Sequence, residues 1–365
     1  MTERISNLQN TLASADADAY AINPGSMLTY LTGLTFHLNE RPVVLLITPD
    51  SDPSLILPEF ELEQLTRVPQ TFRTFTYQDN PHTWGKAFQG AAQAAGLQGK
   101  KIGIDPIQFR FMEMNFLQEA AQVEFIVAGE LFANLRMCKD EQEADHMLKA
   151  AQIAEAALEE TIKIIKANIT EKDIANELTY QLLKNGSETD LPFQPYVGSG
   201  PNGANPHGSV TDRKILPGDF IVIDYGARWQ GYCSDITRTF AVGKVAPERA
   251  HIYEIVKEAN RAGREAAKPG IRAGDVDDAT RQLIVQAGYA QYFTHRTGHG
   301  LGLDVHEDPY MFAENDLILK PGMTFTVEPG IYISADFGVR IEDDVIITAD
   351  AAKSLTTFPR DLIQL

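Results

Sequence analysis

The chain has 365 residues, 44% hydrophobic and 22% charged, the balance of a globular protein long enough for about two domains with their own cores. A formal net charge of −18 argues against nucleic acid or an anionic membrane as a partner, because both select basic surfaces. Two cysteines, Cys138 and Cys233, imply no disulfide framework or cysteine zinc site, and no apolar run approaches the ~18 residues of a membrane span.

The opening MTERISNLQNTLAS carries no basic-then-apolar signal, so the cytoplasm is the expected compartment. Residues 1–130 read as a first, mixed α/β unit. Helices are predicted over 5–12 and 83–95, alternating with strands over 19–22, 43–48, 54–57 and 102–104. Asn23-Pro24-Gly25-Ser26 is turn chemistry. Glu40, Glu59, Glu61 and Glu63 read as a solvated face, and the expected task of this unit is to position, cover or dimerise. Near 132–139 the character changes. A long helical pattern follows over 140–166, with apolar Met147, Ala150, Ile153, Ala156, Leu158, Ile162 and Ile165, so the expected domains are 1–132 and 133–365.

The second unit repeats itself. KANITEKDI from Lys166 and KPGIRAGDV from Lys268 open the same helix pattern. Ile169 matches Ile271, Asp173 matches Asp275 and Gly186 matches Gly288, each pair 102 residues apart. Pro217 stands seven residues before Asp224, as Pro321 stands before Glu328. Each half is expected as helix, helix and hairpin, and a pseudo-twofold relation between halves would gather four carboxylates around one point.

Within that frame, GSGPNGANPHG over 198–208 is too rich in Gly, Pro and Asn for a helix or central strand. It reads as a loop, and His207 on it is as readily an incidental surface residue as a functional one. DFIVIDYGARWQGYCSDITRTF over 219–240 reads as strands 220–227 and 232–241 about the break Arg228-Trp229-Gln230-Gly231. Centred between Trp229 and Gln230, this hairpin sets Asp224 opposite Asp235 on one face. Two buried carboxylates so placed repel unless a cation lies between them. In THRTGHGLGLDVHEDP, 294–309, three of the chain's eight histidines (His295, His299 and His306) fall within twelve residues. Gly298, Gly300 and Gly302 allow close backbone approach around His299. FTVEPGIYISADFGVRIEDDVIIT, 325–348, is a second hairpin turning at Ala335, with Glu328 opposite Glu342. One acid pair is ordinary on an exposed edge; two, beside apolar neighbours, point to a cation site.

Four carboxylates and one histidine suit Mn2+, Co2+, Fe2+ or Zn2+ rather than a thiolate-selected metal. Five ligands suit two ions ~3.5–4 Å apart, which activate water and polarise a carbonyl, so hydrolysis is the expected reaction. Other histidines would hold a tetrahedral oxyanion or pass a proton to a leaving amine.

With IDYGARWQGYCSDITRT, GHGLGLDVHEDP, TVEPGIY and GVRIEDD around Asp224, Asp235, His299, Glu328 and Glu342, the whole chain resembles the pita-bread metallopeptidases. It is most similar to their proline-specific branch, prolidase (Xaa-Pro dipeptidase) and aminopeptidase P. The resemblance implies an α/β (α+β) fold: a creatinase-like N-terminal domain, then a pseudo-twofold pita-bread domain of antiparallel sheet and flanking helices. It implies Asp224 on one metal, His299 and Glu328 on the other, and Asp235 and Glu342 bridging, with Glu328 also moving a proton. His207, His295 and His306 would line the substrate site. Arg340 would touch substrate or a ligand, or else be the structural partner of an acid. Two divalent ions, Mn2+ first, a small Xaa-Pro peptide substrate and a homodimer are implied as well. An Xaa-Pro bond lacks an N–H, so general peptidase subsites read it poorly.

The chain departs from the family at one point. Many prolidases place an Arg just after the His-Glu-acid-Pro run to hold a dipeptide's carboxylate, and here that residue is Tyr310. Xaa-Pro dipeptidase, the leading reading, therefore stands beside Xaa-Pro aminopeptidase acting on longer peptides. Metal-free creatinase-type C–N hydrolysis and a non-catalytic binding protein on the same fold are the remaining readings. The full ligand set weighs against both.

Overall fold

Apolar strand runs in the first third form one six-stranded sheet in the computed structural model, which describes residues 2–365. The strands are β1 (Ala19–Ile22), β2 (Val44–Ile47), β3 (Ser54–Pro58), β4 (Arg73–Tyr77), β5 (Lys101–Ile104) and β6 (Glu124–Val127), in the order β4-β3-β2-β1-β5-β6. Helices α1 (Thr2–Leu12), α2 (Ser26–Thr32), α3 (Pro81–Ala94), α4 (Phe111–Ala121) and α5 (Gly129–Met137) complete this part. Successive side chains leave a strand on opposite faces. Val44, Leu46 and Ile56 accordingly pack with Phe88 and Leu117, while Leu45, Ile47 and Leu55 pack with Leu8 and Leu28. The two strands absent from the sequence reading, β4 and β6, are the sheet's edges, where one partner is missing and the apolar signal is diluted.

The chain divides at Arg136, and Met137–Leu365 is the second unit. Its first half holds α6 (Glu141–Thr161), α7 (Glu171–Lys184), β7 (Tyr196–Ser199), β8 (Phe220–Tyr225), β9 (Arg228–Trp229), β10 (Tyr232–Cys233) and β11 (Ile236–Ala241). Its second half holds α8 (Pro247–Ala266), α9 (Ala273–Gln286), β12 (Gly298–Gly300), β13 (Glu307–Met311), β14 (Thr324–Val327), β15 (Gly330–Ile333), β16 (Phe337–Arg340), β17 (Asp343–Ile347) and β18 (Ala352–Ser354). The duplication is physical. Helices α7 and α9 start and stop at matched positions, and each is followed by a glycine at positive φ, 106° at Gly186 and 86° at Gly288. The bonds Asn168 N–H to Ile215 O (2.9 Å) and Ile215 N–H to Ile169 O (2.9 Å) recur as Gly270 to Leu319 (2.9 Å) and Leu319 to Ile271 (2.8 Å). The sheets are β11-β8-β7, β13-β12-β14-β17-β18 and the short ribbons β10-β9 and β15-β16. No helix among the described residues is long and apolar enough to cross a membrane.

The first hairpin corrects the expected register. Asp224 lies opposite Thr237, not Asp235, and Trp229 faces Tyr232. The turn is Gln230-Gly231 alone, with φ of 50° and 80°. Two residues at positive φ match the twist of the flanking strands, whereas a four-residue break would centre one residue earlier. The slip is even, so the faces are kept and the two acids become diagonal neighbours. The second hairpin turns at Ala335 (φ 62°) with Val327 opposite Asp343 and Gly330 opposite Arg340, which puts Glu328 opposite Glu342 as expected. In both hairpins the ladder is interrupted at acids: Asp235 sits between β10 and β11, and Glu328 and Glu342 sit between β14–β17 and β15–β16.

Candidate metal centre

The ladder breaks and one glycine-flanked strand bring the acids and His299 together. Asp235, His299 and Glu342 are buried and present ligand atoms within 4.8 Å of one another. His299 Nε2 lies 3.6 Å from Asp235 Oδ2 and 3.4 Å from Glu328 Oε1. The histidine is held by its backbone N–H to Thr326 Oγ1 (3.1 Å) and by Nδ1 to Gly300 O (3.0 Å). A Cβ on Gly298 would stand 1.9 Å from Thr326 O, and one on Gly300 2.3 Å from Asp308 O, so both positions require glycine. Glu342 Oε2 accepts from Thr237 Oγ1 at 2.6 Å, and Glu328 Oε1 accepts from Thr326 Oγ1 at 3.1 Å.

The electrostatics of this cluster call for cations. Burial, then the neighbouring His306, lowers the pKa of His299 to about 3, so the ring is neutral. With Nδ1–H donated to a carbonyl, the Nε2 lone pair faces two carboxylate oxygens, so without a cation one of those acids must keep a proton. Burial pushes Asp235 and Glu342 well above the carboxylate range, reinforced by the charges of Glu342 and Asp224 on the former and of Glu328 and Asp224 on the latter. Burial also raises Glu328 to about 7. Asp224 Oδ1 and Asp235 Oδ1 are buried without a hydrogen-bond partner among the described residues. Converging lone pairs, orphaned oxygens and a hard-oxygen donor set with one imidazole fit divalent metal ions.

Arg340 is the cation the chain itself supplies. It is buried, and each guanidinium nitrogen is engaged: Nη2 by Asp224 Oδ2, Nε by Thr237 Oγ1 (3.1 Å) and Nη1 by Tyr332 Oη (3.0 Å). Tyr332 Oη also meets His295 Nε2 at 2.9 Å, so Asp224, Arg340, Tyr332 and His295 form one chain of bonds. Burial, then the positive charge of Arg340, lowers His295 to about 4. His306 is exposed, its ring edge-on to His299 with centroids 4.0 Å apart. His207 is exposed on its loop, and its charge is felt by both His295 and His306.

Several residues here escaped the sequence reading. Tyr332 had a signal, since it follows Glu328 at even spacing and Gly330 leaves room for its ring. Glu171 stands in the sequence only as part of a helix entry. It is fully buried and accepts from Ser199 N–H (2.7 Å), Ser199 Oγ (2.7 Å), Asn202 Nδ2 (2.8 Å), Thr211 N–H (3.0 Å) and Thr211 Oγ1 (2.6 Å), clamping both sides of the His207 loop. Behind the site, Arg238 donates to Thr237 O (2.9 Å), Glu342 O (2.6 Å) and Asp343 Oδ1 (2.8 Å). Burial would raise Asp343, but Arg238 and Arg360 overcome it and hold this carboxyl below its ordinary range.

A pH dependence follows for metal-free protein. Asp235, Glu328 and Glu342 have folded pKa values raised above their unfolded ones, so the folded state binds more protons and stability falls as pH rises. His295, His299 and His306 act in the opposite sense, but only below the unfolded histidine value of ~6.5. Asp343 is lowered, and its contribution is lost only in acid. Between about pH 7 and 8.5 the histidines no longer contribute, and each acid whose raised folded value has not yet been passed costs up to ~1.4 kcal/mol per pH unit. Thermal unfolding should show a Tm falling by several degrees across that window without metal, and a much flatter profile with saturating Mn2+. Parallel profiles would contradict this.

Comparison with known proteins agrees with the geometry. Residues 4–138 match the creatinase/prolidase N-terminal domain and residues 145–349 match metallopeptidase family M24. The Xaa-Pro dipeptidase of Pyrococcus horikoshii is 35% identical over 371 residues, covering 100% of this chain and 99% of that protein. The structure of the prolidase from Thermococcus sibiricus superposes with a TM-score of 0.92 at 36% identity, covering 100% of this chain and 99% of that one. That of the X-Pro aminopeptidase from Thermotoga maritima gives 0.85 at 31% identity, covering 98% and 100%.

Proposed function

The chain belongs to metallopeptidase family M24, and from that premise we propose that it is an Xaa-Pro dipeptidase that releases the residue preceding proline. The observation that carries this reading is the buried convergence of Asp235, His299 and Glu342 beside Glu328, at a site the chain leaves short of positive charge. Asp224, Asp235, His299, Glu328 and Glu342 would hold two divalent ions, manganese first, which when bound supply carbonyl polarisation and an acidified water.

The remaining work falls to the side chains. Glu328, beside His299, accepts the proton of the attacking water and can return it. Arg340 holds Asp224 in place and keeps Tyr332 and His295 in line. The exposed His306 and His207 can donate to the developing oxyanion and to the leaving imino nitrogen, while His295 is held between Tyr332 Oη and Arg296 O as their support. Glu171 fixes the loop from which His207 acts. A homodimer with the first unit at its interface is part of the proposal, supported by the family resemblance.

Xaa-Pro aminopeptidase on longer peptides is the second reading, supported by Tyr310 and by the likeness to the Thermotoga maritima enzyme. Hydrolysis of an Xaa-Pro dipeptide and an Xaa-Pro-Yaa tripeptide by the Mn2+-loaded protein separates them. The dipeptide should be the better substrate by kcat/KM. A preference for the tripeptide would assign the aminopeptidase instead.

A further inference from the structure

A dipeptide carries a free carboxylate one residue beyond the scissile bond, and a site that selects dipeptides needs a cation there. The basic side chains around the histidine-rich segment are mostly committed. Arg340 is engaged on every nitrogen, Arg281 is paired with Asp277 (2.8 Å), and Lys139 is paired with Glu307 (2.7 Å). Arg228 spends its donors on the carbonyls of Asp190, Gly231 and Leu303.

Arg296 differs. It is exposed, and among the described residues no carboxylate pairs with it. Its guanidinium carbon lies 4.3 Å from the centroid of the Tyr310 ring. Stacking on an aromatic face leaves the in-plane N–H groups of an arginine free to bind a carboxylate. The backbone beneath is fixed by site residues: Arg296 O meets His295 Nδ1 (2.7 Å), Thr297 N–H donates to Asp277 Oδ1 (3.1 Å), and Glu328 N–H donates to Thr297 O (2.8 Å). Arg296 thus stands three residues before His299, with its neighbour Thr297 bonded to the backbone of Glu328, which places it beside the metal centre.

We infer that Arg296, braced on Tyr310, binds the C-terminal carboxylate of an Xaa-Pro dipeptide and so sets the preference for dipeptides. This rests on the dipeptidase reading and assigns the selectivity to a residue on the near side of His299.

The test compares Ala-Pro with Ala-Pro amide, which lacks the carboxylate, on full-length Mn2+-loaded protein. Arg296→Ala should raise KM for Ala-Pro about ten- to a hundredfold, the loss of a charge-assisted hydrogen bond, with kcat little changed. KM for the amide should stay at the wild-type value. Arg296→Lys should recover part of the loss, and Tyr310→Ala should reproduce a smaller part of it with Arg296 intact. An unchanged KM for Ala-Pro, or equal losses on both substrates, would overturn the inference while leaving the dipeptidase reading in place. Wild-type protein that cleaves neither compound would remove both.

Discussion

Asp235→Asn should abolish turnover, by on the order of a thousandfold or more, while leaving the protein folded. The backbone N–H of Asp235 donates to Asp344 Oδ2 at 3.0 Å, so the local chain is held without help from the Asp235 side chain. One side-chain oxygen faces His299 Nε2 at 3.6 Å and the other has no partner. An amide fits the same volume, removes one negative charge from a mutually repelling cluster and is a poor metal ligand. Two signatures follow together. Metal content should fall, and the Tm of the metal-free variant at pH 8 should equal or exceed that of metal-free wild type, because a buried like-charge contact is gone. A structural role alone would lower both activity and Tm. Full activity in the variant would contradict the assignment.

Arg340→Ala should have the largest effect on stability of any single change at the site. Removing one partner of a buried ion pair leaves the other charge uncompensated, at a cost of about 3–5 kcal/mol. Here Asp224 loses its cation, and Thr237 and Tyr332 each lose a donor. Metal-free protein should therefore unfold roughly ten degrees earlier. Metal bound to Asp224 would restore part of that loss, so the gap should narrow with saturating Mn2+. The residual kcat should also be low, since Tyr332 and His295 lose their alignment. Arg340→Lys should recover little, because an ammonium cannot reproduce three fixed N–H directions. A metal-free Arg340→Ala protein within about 1 kcal/mol of wild type would show that the pair is incidental.

Much of this architecture is legible in the sequence. The matches Ile169/Ile271, Asp173/Asp275 and Gly186/Gly288 align α7 with α9, because each helix keeps its first-turn acid and the glycine that follows it. The second hairpin was legible because a single centre at Ala335 satisfies both of its ladders. That centre also separates the three consecutive acids Glu342, Asp343 and Asp344: only Glu342 falls opposite Glu328, while Asp343 turns into the arginines behind. The first hairpin failed on turn chemistry. Gln is an unusual residue at positive φ, so Gln230-Gly231 did not announce a two-residue loop. Glu171, Thr237 and Arg238 are illegible for another reason. Their partners are distant in sequence, and a buried carboxylate that clamps a loop looks, in sequence, like any helix-opening Glu.

The proposed centre should bind two divalent ions and hydrolyse an Xaa-Pro bond only when they are bound. Chelator-treated protein titrated with Mn2+, with bound metal and Ala-Pro hydrolysis followed in the same samples, tests this directly. Binding should saturate at two ions per chain, with activity rising from baseline as the sites fill. Undiminished hydrolysis by the metal-free protein, or a chain that binds no ion at micromolar Mn2+, would contradict it.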